Sequence, residues 1–167
     1  MLSKNGIPTA EDLKKVMPSE ERLARGAVSI TECFQNIPCN PCVTSCPQKA
    51  ITMPDGINDL PRVDHELCNG CGICVSRCPG LAIFIVDKSA GGDTAVVRLP
   101  FEFLPLPQAG QYVRGLDRSG AEHGWFKVVR VTSGGAKNKT YTISLEVPKE
   151  LCMEIRNIGI GGYRDEQ

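Results

Sequence analysis

Cysteine content constrains this chain more than any other feature of its sequence. Eight of the nine cysteines in its 167 residues lie between positions 33 and 78. They form two groups of four: Cys33, Cys39, Cys42 and Cys46, followed by Cys68, Cys71, Cys74 and Cys78. Nine is an odd number, so disulfides would leave one thiol unpaired. A chain of this length buries roughly 70% of its unfolded surface, so the cysteines are not needed merely to hold it together.

Charge and hydropathy exclude two classes of partner. Lys and Arg together number 19, as do Asp and Glu, so the net charge is zero. Because phosphate binding depends on clustered positive charge, we expect no nucleic acid partner. No apolar run approaches the roughly 20 residues that cross a bilayer, so we expect no membrane insertion. The first residues lack the apolar core of a signal peptide, which predicts a cytoplasmic protein whose thiols stay reduced.

The spacing within the two groups shows that one unit is used twice. The second group reads C-x2-C-x2-C-x3-C-P without deviation. The first group repeats this pattern from Cys39 to Pro47, and an offset of 32 residues maps Cys39 onto Cys71. Self-similarity of this kind indicates duplication. The opening spacing of the first group is longer, with five residues between Cys33 and Cys39, and a three-residue insertion accounts for the difference.

The segment from about residue 27 to residue 88 resembles bacterial ferredoxins that carry two [4Fe–4S] clusters. In that family the first three cysteines of each group hold one cluster, and the fourth ligates the other. The resemblance implies that cluster I is held by Cys33, Cys39, Cys42 and Cys78. It implies that cluster II is held by Cys68, Cys71, Cys74 and Cys46.

Two alternatives concern the metal ligands. The longer loop leaves two possibilities at Cys33: the loop reshapes around the cluster, or another ligand takes its place. His65 is the candidate substitute, although a surface histidine at a strand end is the preferred interpretation. A zinc ribbon needs only two C-x2-C pairs. It explains neither the third cysteine of each run nor the two Cys-Pro pairs, so iron–sulfur clusters are favoured.

Two glycines beside Cys71 are candidate cofactor-binding residues. Gly70 and Gly72 lack a Cβ atom and therefore reach positive φ without a clash. Such a backbone turns its N–H groups toward the sulfides of a cluster. Hydrogen bonds of this kind stabilise the negative charge of the cluster and help to set its potential.

The flanking sequences predict an α+β fold with a ferredoxin-like two-cluster domain. Short β-branched runs bounded by turn residues predict four strands. These strands cover residues 27–31, 50–53, 60–64 and 82–86. A single helical turn is predicted between Cys42 and Ala50, and another between Cys74 and Ala82. We expect an apolar interior formed by Ile37, Ile51, Ile73, Leu81 and Ile83.

Three further segments surround the two-cluster domain, which spans residues 27–88. Residues 1–26 predict a helical extension with two capped helices. After a short linker, residues 93–158 predict a small antiparallel β-barrel and a short helix. This segment includes Cys152, which is predicted to be a small apolar filler. Residues 159–167 predict a loose tail.

The function predicted from these features is electron transfer. No nucleotide or flavin motif and no catalytic triad is visible, so we expect no enzymatic activity from the chain alone. We predict that it relays single electrons through two [4Fe–4S] clusters. Residues 29–88 carry six acidic and four basic side chains. A diffusing carrier gains from a strong steering field, so this weak charge favours a subunit that stays docked.

The partner predicted for such a subunit is a flavoprotein. The segment from Glu32 to Val86 resembles, more loosely, the small iron–sulfur subunits of anaerobic FAD-dependent amine or imino-acid dehydrogenases. That resemblance implies a flavin-containing oxidoreductase complex. Two other functions remain open: a freestanding ferredoxin carrier, and a non-catalytic redox sensor in which loss of a cluster alters partner binding.

Overall fold

The computed structural model describes residues 2–166, which form short helices and an extended sheet. The helices are α1 (Leu2–Asn5), α2 (Ala10–Lys14), α3 (Glu20–Ala24), α4 (Pro41–Ser45), α5 (Ile73–Arg77) and a 3-10 helix (Lys149–Leu151). The first strands are β1 (Val28–Thr31), β2 (Ile51–Thr52), β3 (Arg62–Val63) and β4 (Ile83–Asp87). The later strands are β5 (Thr94–Phe101), β6 (Tyr112–Leu116), β7 (Glu122–Ser133), β8 (Tyr141–Pro148) and β9 (Asn157–Ile158).

Seven strands form one antiparallel sheet in the order β1-β4-β5-β8-β7-β6-β9. The α+β class is therefore confirmed, but the predicted small barrel is wrong, because the outer strands β1 and β9 do not pair and the sheet stays open. The physical reason lies at β4. This strand pairs with β1 on one side and with β5 on the other, so the C-terminal strands extend the existing sheet. Pairing with β5 satisfies backbone groups that an edge strand leaves unpaired.

The core is shared between the cysteine-rich half and the C-terminal half. Val28 and Val86 from the first half pack in one apolar cluster with Val97 and Leu145 from the second. Cys152 is fully buried in this cluster, as expected of an apolar filler. Because sheet and core run across the linker at residues 88–93, the division into the four predicted segments stays a prediction.

Two isoleucines predicted for the interior lie at the surface. Ile37 is 48% exposed and Ile73 is 44% exposed, whereas Ile51 and Ile83 are buried as expected. Leu81 is half-buried. Ile73 is the first residue of α5, and its side chain faces the C-terminal strands across a groove that is described below.

Residues from both terminal segments contact the core or the sheet. In the N-terminal extension Thr9 caps α2 with a capping box, and Leu23 of α3 is buried in the core. Two contacts lie in the C-terminal segment for which a loose tail is predicted. Arg164 forms a bridge with Tyr112 of β6, and its guanidinium lies 3.8 Å from the centre of the Trp125 ring. Among the described residues, no helix has the length and apolar character that a membrane span requires.

Candidate metal centres

The two short helices that follow the cysteine loops carry half of the candidate ligands. Cys42 lies within α4, and Cys46 is the residue at which that helix ends. Cys74 and Cys78 occupy the same places in α5. Pro at the first position of α4 has a φ suited to a helix start, so the turn forms directly after the loop. Each half thus presents its third and fourth cysteines from one rigid turn.

The structure sorts the eight cysteines into two cavities. Cysteine cavity I is lined by Cys33, Cys39, Cys42 and Cys78. Cysteine cavity II is lined by Cys46, Cys68, Cys71 and Cys74. Each cavity takes three cysteines from one sequence group and one from the other, because α4 packs against α5. This is the grouping implied by the ferredoxin resemblance. The role of these residues as ligands stays a prediction.

The arrangement of the thiols suits a group larger than one ion. Four thiolates around a single zinc ion at about 2.3 Å would lie roughly 3.8 Å apart. Within the described residues, no three His, Cys, Asp or Glu side chains are arranged to hold a single metal ion. The cysteines instead surround two cavities with four thiols each, which fits the same polynuclear group bound twice.

Hydrogen bonds to sulfur are already in place around both cavities. The backbone N–H of Ser29 donates to the Cys68 sulfur at 3.4 Å, and the N–H of Ala82 donates to the Cys78 sulfur at 3.4 Å. The Ser29 hydroxyl lies 3.8 Å from the Cys74 sulfur. Donors aimed at ligand sulfurs stabilise the charge of an iron–sulfur cluster. The chain therefore already provides hydrogen-bond donors to the ligand sulfurs, which fits a bound iron–sulfur cluster.

The two predicted glycines lie at cysteine cavity II, and each has a distinct physical reason. Gly70 has a φ of +65°, and a Cβ there would come within 2.5 Å of the Ala27 backbone. Gly72 has a φ of +83° and directly precedes α5. At position 70 a side chain would clash with Ala27, whereas at position 72 the left-handed backbone conformation favours glycine. Both line cysteine cavity II, and their role toward a cofactor stays a prediction.

Burial keeps the cavity thiols from ionising on their own. Burial raises the pKa of Cys42 to about 11, and the nearby Cys78 adds to the rise. Burial raises the pKa of Cys74 to about 12, although the contact with Ser29 lowers it and the neighbouring cysteines raise it. Four thiolates in such a cavity require a positively charged partner, because burial disfavours uncompensated charge. Iron supplies that charge in an iron–sulfur cluster.

The structure places Cys33 with the other cysteines of its cavity despite the longer loop. His65, the candidate substitute, lines neither cavity. Its ring is half-buried, so the expected surface position is only partly right. Burial and the nearby Arg22 guanidinium lower the pKa of His65, which favours the neutral ring.

Two arginines that sequence reasoning missed contact the loop of cysteine cavity II. Arg22 of α3 is 7% exposed. Its guanidinium donates to four backbone carbonyls: those of Gly26, Ala27, His65 and Cys68. Arg98 of β5 donates to the Gly70 carbonyl at 3.0 Å. No local pattern signals the contacts with this loop, because Arg22 and Cys68 lie 46 positions apart in the chain and Arg98 and Gly70 lie 28 apart.

A buried ion pair adjoins cysteine cavity I. Glu32, which precedes Cys33, accepts hydrogen bonds from Arg118 at 2.8 and 2.7 Å and from Arg156 at 2.7 Å. Burial opposes ionisation of this carboxyl, but the two guanidinium groups outweigh burial and hold the pKa of Glu32 below its usual value. Arg156 also lies over the Phe84 ring, 4.9 Å from its centre. Arg118 and Arg156 of the C-terminal half therefore bind the chain at the start of the first cysteine loop.

Comparison with known proteins agrees with this geometry. Residues 37–82 match the family described as 4Fe-4S dicluster domain. The isethionate sulfite-lyase activating enzyme of Desulfovibrio desulfuricans is 31% identical over 100 residues, which cover 58% of this chain and 31% of that protein. An uncharacterised ferredoxin of Methanocaldococcus jannaschii is 48% identical over 50 residues, covering 30% and 31%. The ketoisovalerate oxidoreductase subunit VorC of Methanothermobacter marburgensis is 37% identical over 62 residues, covering 34% and 78%.

Two cavities of four thiols each, on duplicated loops, define a protein of the iron–sulfur electron-transfer class. This chain covers 78% of VorC at 37% identity, which is enough to assign it to a family within that class. The chain belongs to the 4Fe–4S dicluster ferredoxin-type proteins. It spans about a third of the length of the first curated relatives that it matches. No solved structure matches the chain.

Proposed function

We propose that the chain binds two [4Fe–4S] clusters, one in each cysteine cavity, and passes single electrons through them. The observation that carries the proposal is the division of eight cysteines into two sets of four, each drawn from both sequence groups. The proposed ligands of cluster I are Cys33, Cys39, Cys42 and Cys78. The proposed ligands of cluster II are Cys46, Cys68, Cys71 and Cys74.

A bound [4Fe–4S] cluster supplies one-electron redox chemistry. The chain's own residues bind it through thiolates and donate N–H groups to the ligand sulfurs. Buried Ile51, Ile83 and Ile85 form the apolar walls and exclude water. Four cysteines for each cluster complete the coordination of its irons, so no iron is left open for a substrate. The proposed chain therefore transfers electrons and has no enzymatic activity alone.

Anaerobic reconstitution tests the cluster content. We expect about eight irons and eight sulfides per chain, as two [4Fe–4S] clusters require. Mössbauer spectra should show two cubane clusters, and the reduced protein should show their coupled paramagnetic signals. A colourless protein with negligible iron and sulfide would contradict the proposal, and a stoichiometric zinc content would favour the zinc alternative.

We further propose that the chain works as the electron-transfer subunit of a larger oxidoreductase. VorC, a relative that this chain covers over most of its length, is named as an oxidoreductase subunit. The long accessory segments also support a docked protein, because both pack against the cluster-binding half. The flavoprotein nature of the partner rests on the looser resemblance to subunits of FAD-dependent dehydrogenases.

Anaerobic purification of the chain from its source tests the assembly. Recovery with a second polypeptide that carries bound flavin, visible in its absorbance spectrum, is the expected result. A chain recovered alone, with full reactivity toward a separately purified reductase, would favour the freestanding carrier.

A further inference from the structure

A groove with a basic lining opens on the sheet face next to cysteine cavity II. Its lining includes Cys71, Ile73, Arg77, Arg98, Arg130 and Ser144. The floor comes from β5, β8 and β7, and one wall comes from α5. The chain as a whole has no net charge, so the positive lining of this groove is a local feature.

Strand pairing fixes the positions of two of the arginines. Arg98 of β5 lies opposite Ser144 of β8, and Ser144 lies opposite Arg130 of β7. Adjacent strands are about 4.8 Å apart, so the Cα atoms of the two arginines are roughly 10 Å apart with a hydroxyl between them. Arg77 reaches the same groove from α5, which packs over this part of the sheet.

The three arginines lack acidic partners. Within the described part of the chain, none of Arg77, Arg98 and Arg130 lies within 4.0 Å of a carboxylate oxygen, whereas several other arginines form ion pairs. Glu146, two residues from Ser144 along β8, is exposed and lies opposite Lys127 in the next strand. The groove therefore offers positive charge that the fold does not neutralise.

The floor of the groove holds hydroxyl groups that the fold does not use. Thr142 and Ser144 are only 9% and 5% exposed. Their neighbours Ile143 and Leu145 face the core, so the two hydroxyl-bearing side chains face the groove. Neither hydroxyl forms a hydrogen bond with another described residue, while the buried Thr140 hydroxyl bonds to Glu102. A ligand with acceptor oxygens would satisfy them.

A β-bulge presents the remaining lining residues. The register of β7 shifts between Val128 and Arg130. The extra residue lets Val128 and Val131 both pack against the core and leaves Val129 and Arg130 side by side on the groove face. Bulges re-aim side chains next to functional sites. Here the bulge places a cation and an apolar side chain together.

The groove and cysteine cavity II share a wall. Cys71 and Gly72 line both, and Cys71 is the most exposed of the eight cavity cysteines. Arg98 joins the groove floor to the same loop through its hydrogen bond to the Gly70 carbonyl. A molecule in the groove is therefore separated from the proposed cluster II by a single layer of protein.

We propose that this groove docks the acidic surface of a one-electron carrier protein, which exchanges electrons with cluster II past Cys71. In one direction the redox centre of the carrier loses one electron and the cluster gains it; in the other the roles reverse. The proposal rests on the proposed function, because it names the partner of that site. It adds the partner's chemistry and the point of electron entry.

The lining favours a protein surface over a small anion. The arginines rise from three different elements, and two of them are spaced for several carboxylates rather than for one phosphate. Exposed Ile73 and Val129, at 44% and 39%, place apolar surface beside the charges. Arginine next to apolar groups is typical of protein interfaces, and complementary charge steers the partner into register.

Binding of an acidic peptide tests the groove. The probe is a fluorescently labelled octaglutamate peptide, titrated at low salt into the full reconstituted chain. The variant R77Q/R130Q removes two exposed charges from the groove, and K4Q/K14Q removes two exposed charges from the N-terminal helices as the matched control. We expect the groove variant to bind the peptide about tenfold or more weakly and the control to bind as the unmodified chain does.

Electron entry is tested on the same proteins. Reduction by dithionite, an anion, should slow in R77Q/R130Q and in the presence of saturating peptide, whereas reduction by the cationic methyl viologen radical should not slow. Equal loss of peptide binding in both double variants, or loss in neither, would overturn the proposal. So would displacement of the peptide by inorganic phosphate at equal concentration, because the site would then bind a small anion. Failure of cluster assembly would contradict the proposed function. The peptide titration would still measure binding to the groove, so the two proposals can fail separately.

Discussion

The two cysteine cavities are built from the same motif but lie in different electrostatic surroundings. Cysteine cavity II is flanked by Arg22 and Arg98, whose guanidinium groups donate to carbonyls of the Cys68–Gly70 loop. Cysteine cavity I adjoins a group of balanced charges, in which Glu32 and Glu154 oppose Arg118 and Arg156. Positive charge near a cluster favours its reduced form. The comparison teaches that a duplicated motif sets the chemistry, while the accessory segments make the two sites unequal.

The largest effect should come from Cys46→Ser, which tests the crossed grouping itself. Cys46 belongs to the first sequence group but lines cysteine cavity II. We expect selective damage to the cluster held with Cys68, Cys71 and Cys74, measured by Mössbauer spectroscopy and iron content. Cys152→Ala, which removes the buried ninth thiol, is the control and should leave the iron content unchanged. Selective damage to the cluster at Cys33, Cys39 and Cys42 would refute the crossed assignment.

The next largest effect should come from Glu32→Gln, which breaks the ion pair beside cysteine cavity I. This substitution leaves the buried Arg156 without its counter-charge and leaves Arg118 paired only with the exposed Glu154. Removing one partner of a buried pair costs about 4 kcal/mol of unfolding free energy. Denaturant unfolding measures the loss, and a variant with unchanged stability would show that the pair does not join the two halves.

The same carboxylate predicts a pH dependence. The pKa of Glu32 is lower in the folded chain than its usual value, so its contribution to stability is complete above the unfolded pKa of about 4.3. The contribution is lost as the pH falls through the lowered folded pKa. We expect unfolding midpoints of the unmodified chain to fall in this acidic range more steeply than those of Glu32→Gln. Parallel curves for the two proteins would assign the acid sensitivity to other groups.

A smaller effect on stability, with a specific redox signature, should come from Arg22→Gln. The substitution leaves the partly buried carbonyls of Ala27 and Cys68 without their donor, at a cost of about 3 kcal/mol. It also removes a positive charge beside cysteine cavity II, so the reduction potential of cluster II should fall while that of cluster I stays unchanged. Potentiometric titration followed by paramagnetic resonance measures both. Arg22→Lys should restore part of the potential, and a shift of both clusters alike would remove the proposed difference between the sites.

The smallest effect should come from Gly72→Ala, which compares the starts of the two helices. Gly72 has a φ of +83°, whereas the residue before α4, Asn40, has a φ of −141°. A Cβ at Gly72 meets only ordinary contacts, so the cost is the left-handed backbone alone, about 1 kcal/mol. Gly80→Ala, at a position without positive φ, is the matched control and should be neutral in the same unfolding measurement.

Local patterns predicted the elements near the cysteines well. The strand expected at residues 27–31 is β1, Val28–Thr31, and the helical turns expected after Cys42 and Cys74 are α4 and α5, which begin one residue earlier and contain these cysteines. Such features depend on neighbouring residues, which the sequence displays directly. The exposure of Ile37 and Ile73 was not predictable in this way, because apolar character does not by itself fix burial.

Long-range pairing explains what the sequence could not predict. The pairing of β4 with β5 replaced the expected barrel, and strand patterns do not say which edges meet. Glu32 and Arg156 are 124 positions apart, so no periodicity connects them. The candidate ligands were predictable because their motif is local and repeated; the charges around them were not, because they come from distant segments.

The pairing of β4 with β5 has a practical consequence for the use of the cluster-binding half as an isolated electron-transfer module. Cutting the chain after residue 88 would remove β5, one of the two neighbours of β4, and expose one edge of a strand composed mostly of buried apolar residues, Ile83–Asp87. An open strand of this kind recruits other chains and precipitates. A functional excised fragment would need a substitute strand, grafted or designed, along that flank.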